Sequence, residues 1–261
     1  MLIGNRFVFV HQPKTGGHFV REALDEIRRT EMKERRASLI KRLFPPKYQC
    51  RHVEPYHGTC HDIPDSQSGK QVLSIVRNPY DFYVSFYYFG WWSSHPEDSY
   101  PAIGPVLERF PDFPNLSFEE FLVLANEFFN EFSWIGADKD PDERRLGYYS
   151  TQFILYFFRE PKAAYRRIAS AGGLDRSVLD MFDVTFLRTD RLNDDLVEYL
   201  RGQRYPDRWL EPIRRKKPVR PSEEQAARPH RDFRSYYTDE TRALIRHKDR
   251  LIFSLFPEFD F

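Results

Sequence analysis

Apolar residues along this chain fall into short continuous runs and into longer stretches with helical spacing, separated by turn formers. Arg6 to Val10 (RFVFV) has the length and composition of a buried strand. HQPKTGG follows at once and is dense in turn residues. From His18 the period changes: Val20, Leu24 and Ile27 share one helical face, and the basic segment to about Lys47 continues as helix or irregular surface. Residues 49–65 lack a period and read as loop with a brief strand. Gln71 to Val76 (QVLSIV) predicts a second strand. Pro79 suits the first turn of a helix running through DFYVSFYYFGWW. Ser117 and Glu120 have the spacing of a capping box, and Tyr149 to Phe158 reads as helix. Asp183 to Leu187 (DVTFL) predicts a third strand, after which Thr189 or Asp190 is placed to cap a helix carrying Leu192, Leu196, Tyr199 and Leu200. Residues 212–235 read as a long Pro- and Arg-rich loop, and Thr238 or Asp239 opens a last helix to about Phe256. Strands alternating with helices predict an α/β fold: a single domain over residues 1–261, with a central parallel β-sheet flanked by helices.

The bulk numbers narrow the partners. With 261 residues, 41% of them hydrophobic, the chain has ample material for a core. A net charge of +1 argues against general nucleic-acid binding. The charge is unevenly placed, since residues 97–143 hold twelve acids against two bases and residues 201–234 hold eleven bases against five acids. Such runs read first as solvated faces. The two cysteines, Cys50 and Cys60, make no disulfide framework and fit a reducing compartment. No signal-peptide pattern or long apolar span appears, so the expected setting is soluble and cytoplasmic.

Two segments carry candidate chemistry. In the first, strand, PKTGG and helix follow one another. Gly16 and Gly17 let the backbone approach a ligand closely, the helix start offers free N–H groups, and Lys14 adds a full charge, together making an anion cradle. The Walker pattern GxxxxGK[ST] is absent, and Lys14 precedes the glycine pair, which tells against a kinase. In the second, QVLSIV leads into RNPYDFYVSFYYF. Arg77 stands at the C-terminal end of a strand, where open α/β sheets bind ligands, and Ser85 lies further on in the helix. Read singly, Arg77 could equally pair with Asp81, and Ser85 reads as a packing residue.

HQPKTGGHFV resembles the 5′-phosphosulfate loop of the sulfotransferases that use 3′-phosphoadenosine 5′-phosphosulfate (PAPS), and IVRNPYDFYVSFYYF resembles their 3′-phosphate motif. The order and separation also agree. FLRTDRLNDDLVEYLR and the C-terminal FRSYYTDETRALIRHKDRLIFSLFPEFDF resemble the later parts of the carbohydrate-type and bacterial branch. The resemblance implies the P-loop-kinase-like sulfotransferase fold, and PAPS as a sulfuryl donor with no metal. Lys14 would stabilise the departing phosphate. The backbone of Thr15, Gly16, Gly17, His18 and Phe19 would hold the 5′-phosphate, and Arg77 with Ser85 would grip the 3′-phosphate. His18 departs from the family's usual Thr or Ser. The Arg-rich loop ahead of Tyr236 matches the position of the family's closing loop, with Arg231 its candidate contact.

An acceptor hydroxyl needs a base near neutral pH, and histidine suits the task. HGTCHDIP lies between the two motifs, with His57 the choice and His61 and Glu54 the reserves. Cys50, His52, His57, Cys60 and His61 are also metal-ligand types, but their spacing fits the usual zinc patterns poorly. The aromatic cluster from Tyr87 to Trp92 reads mainly as packing, with a small-molecule or carbohydrate acceptor pocket as the sharper reading. The alternatives are a nucleotide-dependent kinase of similar fold, a non-catalytic nucleotide-binding protein, and a zinc-supported interaction module. The acceptor and the oligomeric state are not legible in the sequence.

Overall fold

A computed structural model describes residues 1–38, 43, 46–137, 145–170, 179–217 and 231–261. The chain forms two compact units, one of residues 1–77 and 182–221, the other of residues 78–181 and 222–261.

The first unit is α/β. Its strands are β1 (Leu2–Gly4), β2 (Phe7–Phe9), β3 (Cys50–His52), β4 (Gln71–Val76) and β5 (Val184–Arg188). They form a five-stranded sheet in the order β3-β1-β2-β4-β5. β2, β4 and β5 are parallel neighbours, as the alternation of strands and helices predicts. The sheet as a whole is mixed, which corrects the expectation of a parallel one. Leu2 pairs with Phe9 and Ile3 with Val8, so the N-terminal residues double back on β2 around Asn5 and Arg6. β3 then adds to β1, also antiparallel. A two-residue turn permits this pairing, whereas parallel neighbours need a long crossover.

Helix α1 (Gly17–Arg36) buries Phe19, Val20, Ala23, Leu24 and Ile27. These residues join Phe7 and Phe9 of β2, Leu73 and Ile75 of β4 and Leu187 of β5 in one core. The helices Leu192–Gly202 and Asp207–Arg214 contribute Leu196, Leu200, Trp209 and Ile213 to it. The second of these runs through Pro212 into the first residues of the expected loop. Residues 218–230 of that expected loop, and part of the basic segment before Lys47, lie outside the described residues.

The second unit is helical. It contains Pro79–Phe89, Phe118–Glu127, Tyr148–Phe157, Pro161–Ser170, Asp239–Lys248 and Arg250–Leu255, with shorter helices between them. The helix that begins at Pro79 stops at Gly90, which takes φ 71°, so Trp91 and Trp92 start a new turn rather than extending it. Ser117 and Glu120 form the capping box the sequence predicts, and Thr238 caps the helix after it. No described helix is long and apolar enough to cross a membrane.

Candidate functional site

The loop between β2 and α1 is fastened to the sheet at several points. The Val10 amide donates to the Leu73 carbonyl (2.9 Å), and the Ser74 hydroxyl donates to the Val10 carbonyl (2.8 Å). Further on, the Thr15 hydroxyl donates to the Gln12 carbonyl (2.9 Å). Lys14 takes φ 65° and Gly16 φ 104°, so the turn passes twice through the left-handed region. A glycine accommodates that conformation freely and a lysine at a cost. Gly17 is required for a different reason: a Cβ there would lie 1.9 Å from Cδ2 of His11.

Helix α1 starts with no side chain capping it and no acidic residue in its first turn. No carboxylate or hydroxyl side chain therefore caps its N-terminal amides, although the Phe19 amide donates to the Gly16 carbonyl (3.0 Å). Basic groups stand beside it, and Glu22 of the second turn also acts on His18. The Arg77 guanidinium, immediately after β4, donates through Nη1 to the Lys14 carbonyl (2.7 Å). Burial, and then the nearby Arg77 charge, push the Lys14 ammonium down to about 7. A lysine so held gains strongly from a neighbouring anion, because the anion offsets both effects.

Thr189 is tied to the same place from a distant part of the chain. Its hydroxyl lies 2.6 Å from the Thr15 carbonyl and 3.1 Å from the Val76 carbonyl, its one proton shared between them. The expected capping role of Thr189 and Asp190 is therefore replaced. Thr189 to Arg191 form a 3₁₀ turn, and the helix after it has no side-chain cap. Asp195 instead accepts from the Arg188 amide (2.8 Å).

Beside the loop lies a cluster of rings. The His57 ring donates through Nδ1 to the His11 carbonyl (3.0 Å). A carbonyl can only accept, so the neutral ring carries its proton on Nδ1 and its basic lone pair on Nε2. The His57 side chain is exposed, yet its pKa is lowered by partial desolvation and by the charges of His18, Arg21 and the N-terminus, against the His11 carbonyl, which raises it. His11 itself is buried and driven down to about 2, first by burial and then by the neighbouring imidazoles and Arg21. Its ring sits 4.6 Å from that of His57, 5.5 Å from His18 and 5.2 Å from Tyr56.

The structure thus places Lys14, Thr15, Gly16, Gly17, His18, Phe19, His57 and Arg77 in the first unit. Phe19 is a core residue, so only its backbone can serve a ligand. His61 and Glu54 are exposed, and the His61 ring packs against Phe182 (5.2 Å). Ser85 lies half-buried on the helix Pro79–Phe89 of the second unit. Arg231, also in that unit, stacks its guanidinium 3.8 Å from the centre of the Tyr236 ring. Among the described residues no group of three or more His, Cys, Asp or Glu is arranged to hold a metal ion. Sequence reasoning missed His11, Arg21, Tyr56 and Thr189. His11 lies inside the flagged HQPKTGG and Tyr56 beside HGTCHDIP, while Thr189 was expected only as a helix cap.

No family model matches the chain, and no curated protein matches it. Among solved structures, the mouse sulfotransferase SULT7A1 complexed with PAP is similar to it, with a TM-score of 0.43 and 15% sequence identity, over 94% of this chain and 85% of that one.

Proposed function

We propose that the chain is a PAPS-dependent sulfotransferase, with residues 1–261 as its sulfotransferase domain. The observation that carries this reading is the cradle at the start of α1. An uncapped helix start, a glycine pair, the half-buried Lys14 and the Arg77 guanidinium bonded to the Lys14 carbonyl meet in one place. Such a site fits a ligand with more than one phosphate-type group.

The chemistry is transfer of SO₃ from the donor to an acceptor hydroxyl. The acceptor oxygen forms a bond to sulfur while the bond from sulfur to the bridging oxygen breaks. His57 takes the hydroxyl proton at Nε2, its Nδ1 remaining bonded to the His11 carbonyl. Lys14 and the α1 amides hold the negative charge that stays on the departing 5′-phosphate. The products are a sulfate ester, adenosine 3′,5′-bisphosphate and the proton released from His57. Arg77 serves the 3′-phosphate. Ser85 and Arg231 enter this reading through the sequence resemblance, as further nucleotide contacts. A small-molecule or carbohydrate hydroxyl is the acceptor class this reading takes.

Thermal-shift titration with adenosine 3′,5′-bisphosphate, ATP and adenosine 5′-phosphate tests the donor class without knowledge of the acceptor. The bisphosphate is expected to raise Tm most. A larger shift with ATP that depends on Mg²⁺ would favour the kinase reading instead.

A further inference from the structure

The strongest unexplained feature outside the phosphate cradle is a buried cation on α1. Arg21 is 7% exposed, in the second turn of the helix. Burial lowers the pKa of its guanidinium, so its place in the fold carries a cost. Nothing in the proposed transfer uses it directly.

Its surroundings hold it on two sides. The guanidinium carbon lies 3.8 Å from the centre of the Tyr56 ring, in stacking contact. On the other side Nη2 donates to Nδ1 of His52, and His52 Nε2 in turn donates to Oδ2 of Asp25 (3.1 Å). Asp25 is one helical turn along from Arg21, so one face of α1 supplies both ends of this chain of contacts. His52 ends β3 and Tyr56 immediately precedes His57, so the helix grips both ends of the strip that leads to His57.

Tyr56 transmits that grip. Its ring lies 4.7 Å from His57, 5.2 Å from His11 and 5.9 Å from His18, and its hydroxyl pairs with His18 Nδ1 (3.3 Å). We propose that Arg21 is a positioning residue: stacked on Tyr56 and locked by His52 and Asp25, it fixes the His57 loop against the phosphate loop. This rests on the reading of His57 as the base. Arg21 also acts through its charge, which opposes protonation of the His57 ring. The His11 carbonyl and imidazole, the Tyr56 ring, His18 of α1 and the amino group of Met1 also face His57. His18, Arg21 and the N-terminal amino group each oppose protonation of the ring, whose pKa is lowered first by desolvation.

The test is an NMR titration of the His57 imidazole in the full chain, with adenosine 3′,5′-bisphosphate binding measured alongside. In Arg21→Gln the His57 midpoint is expected to rise by about half a pH unit or more. In Arg21→Lys, which keeps the charge but loses the planar stack, a smaller rise is expected, together with broadened His57 signals from a loosened loop. Affinity for the bisphosphate should stay within about threefold in both variants. If Arg21→Gln does not fold, His52→Gln, at an exposed position, breaks the lock while leaving Arg21 in place, and should also broaden His57. An unchanged His57 midpoint and line width in a folded variant would overturn the positioning role. Absence of bisphosphate binding in the unaltered protein would instead refute the sulfotransferase reading, so the two failures are distinguishable.

Discussion

Two helix starts in this chain have opposite chemistry. At Phe118–Glu127 the chain satisfies its own amides. Ser117 accepts from the Glu120 amide (3.2 Å), Glu120 accepts from the Ser117 amide (2.8 Å), and Glu119 and Glu120 put negative charge in the first turn. At α1 there is no cap and no acid, and the nearby charges are Lys14 and Arg77. A cap is worth about 0.5–2 kcal/mol, and the left-handed Lys14 adds a further cost. One helix start is closed by its own side chains, whereas the other has no side-chain cap and has basic groups beside it. Other helices, such as Tyr148–Phe157, are also uncapped and free of acids in their first turn, so it is the company of Lys14, Arg77 and the glycine pair that supports the anion-site proposal at α1.

The largest effect that sharpens the contrast is at Lys14. Lys14→Ala is expected to lower turnover by about 10²–10³-fold, while bisphosphate binding falls far less; single-turnover transfer from PAPS alongside a binding titration checks this. Next comes Gly17→Ala, whose methyl group meets the His11 ring. It should cost about 1–3 kcal/mol in a denaturant melt and also weaken bisphosphate binding, because the loop must shift. For Arg77→Ala the expected loss is about tenfold or more in the preference for adenosine 3′,5′-bisphosphate over adenosine 5′-phosphate. An unchanged ratio would remove Arg77 from the 3′-phosphate. The smallest effect belongs to the capped helix: Ser117→Ala should cost about 1 kcal/mol of stability and leave nucleotide affinity unaltered.

Much of the cradle was legible because its parts are contiguous. Lys14, Gly16 and Gly17 stand in one heptapeptide, and Arg77 follows directly on a strand of unmistakable composition. The capping box at Ser117 was legible for the same reason, since its two residues are three apart. What escaped was set by contacts across long separations. Thr189 was expected to cap the helix beside it, but its hydroxyl is drawn instead to carbonyls at Thr15 and Val76. No local pattern encodes that choice. The antiparallel β1 was missed because Leu2 to Gly4 is too short to show a period, and its pairing depends on a turn at Asn5 and Arg6. Arg21 and Asp25 belong to no local pattern, and His52 stands out in the sequence only as a metal-ligand type. Only the packing of α1 on β3 makes them one unit.

The sign of the pH dependence follows from Lys14. Its pKa in the folded protein, about 7, lies below the ordinary lysine value. The unfolded chain therefore binds more protons between about pH 7 and pH 10. The stability contribution of Lys14 rises with pH across that window and is at its least below it. An anion bound at the cradle favours the charged lysine, so its affinity runs the other way and declines as pH rises above about 7.

Calorimetric titration with adenosine 3′,5′-bisphosphate, at several pH values and in two buffers of different ionisation enthalpy, measures that linkage directly. The expected result is binding accompanied by proton uptake near pH 7.5, with affinity falling as the pH is raised and both effects lost in Lys14→Ala. Binding of equal strength across this range with no proton uptake, or no binding at all, would contradict an open anion cradle at the start of α1.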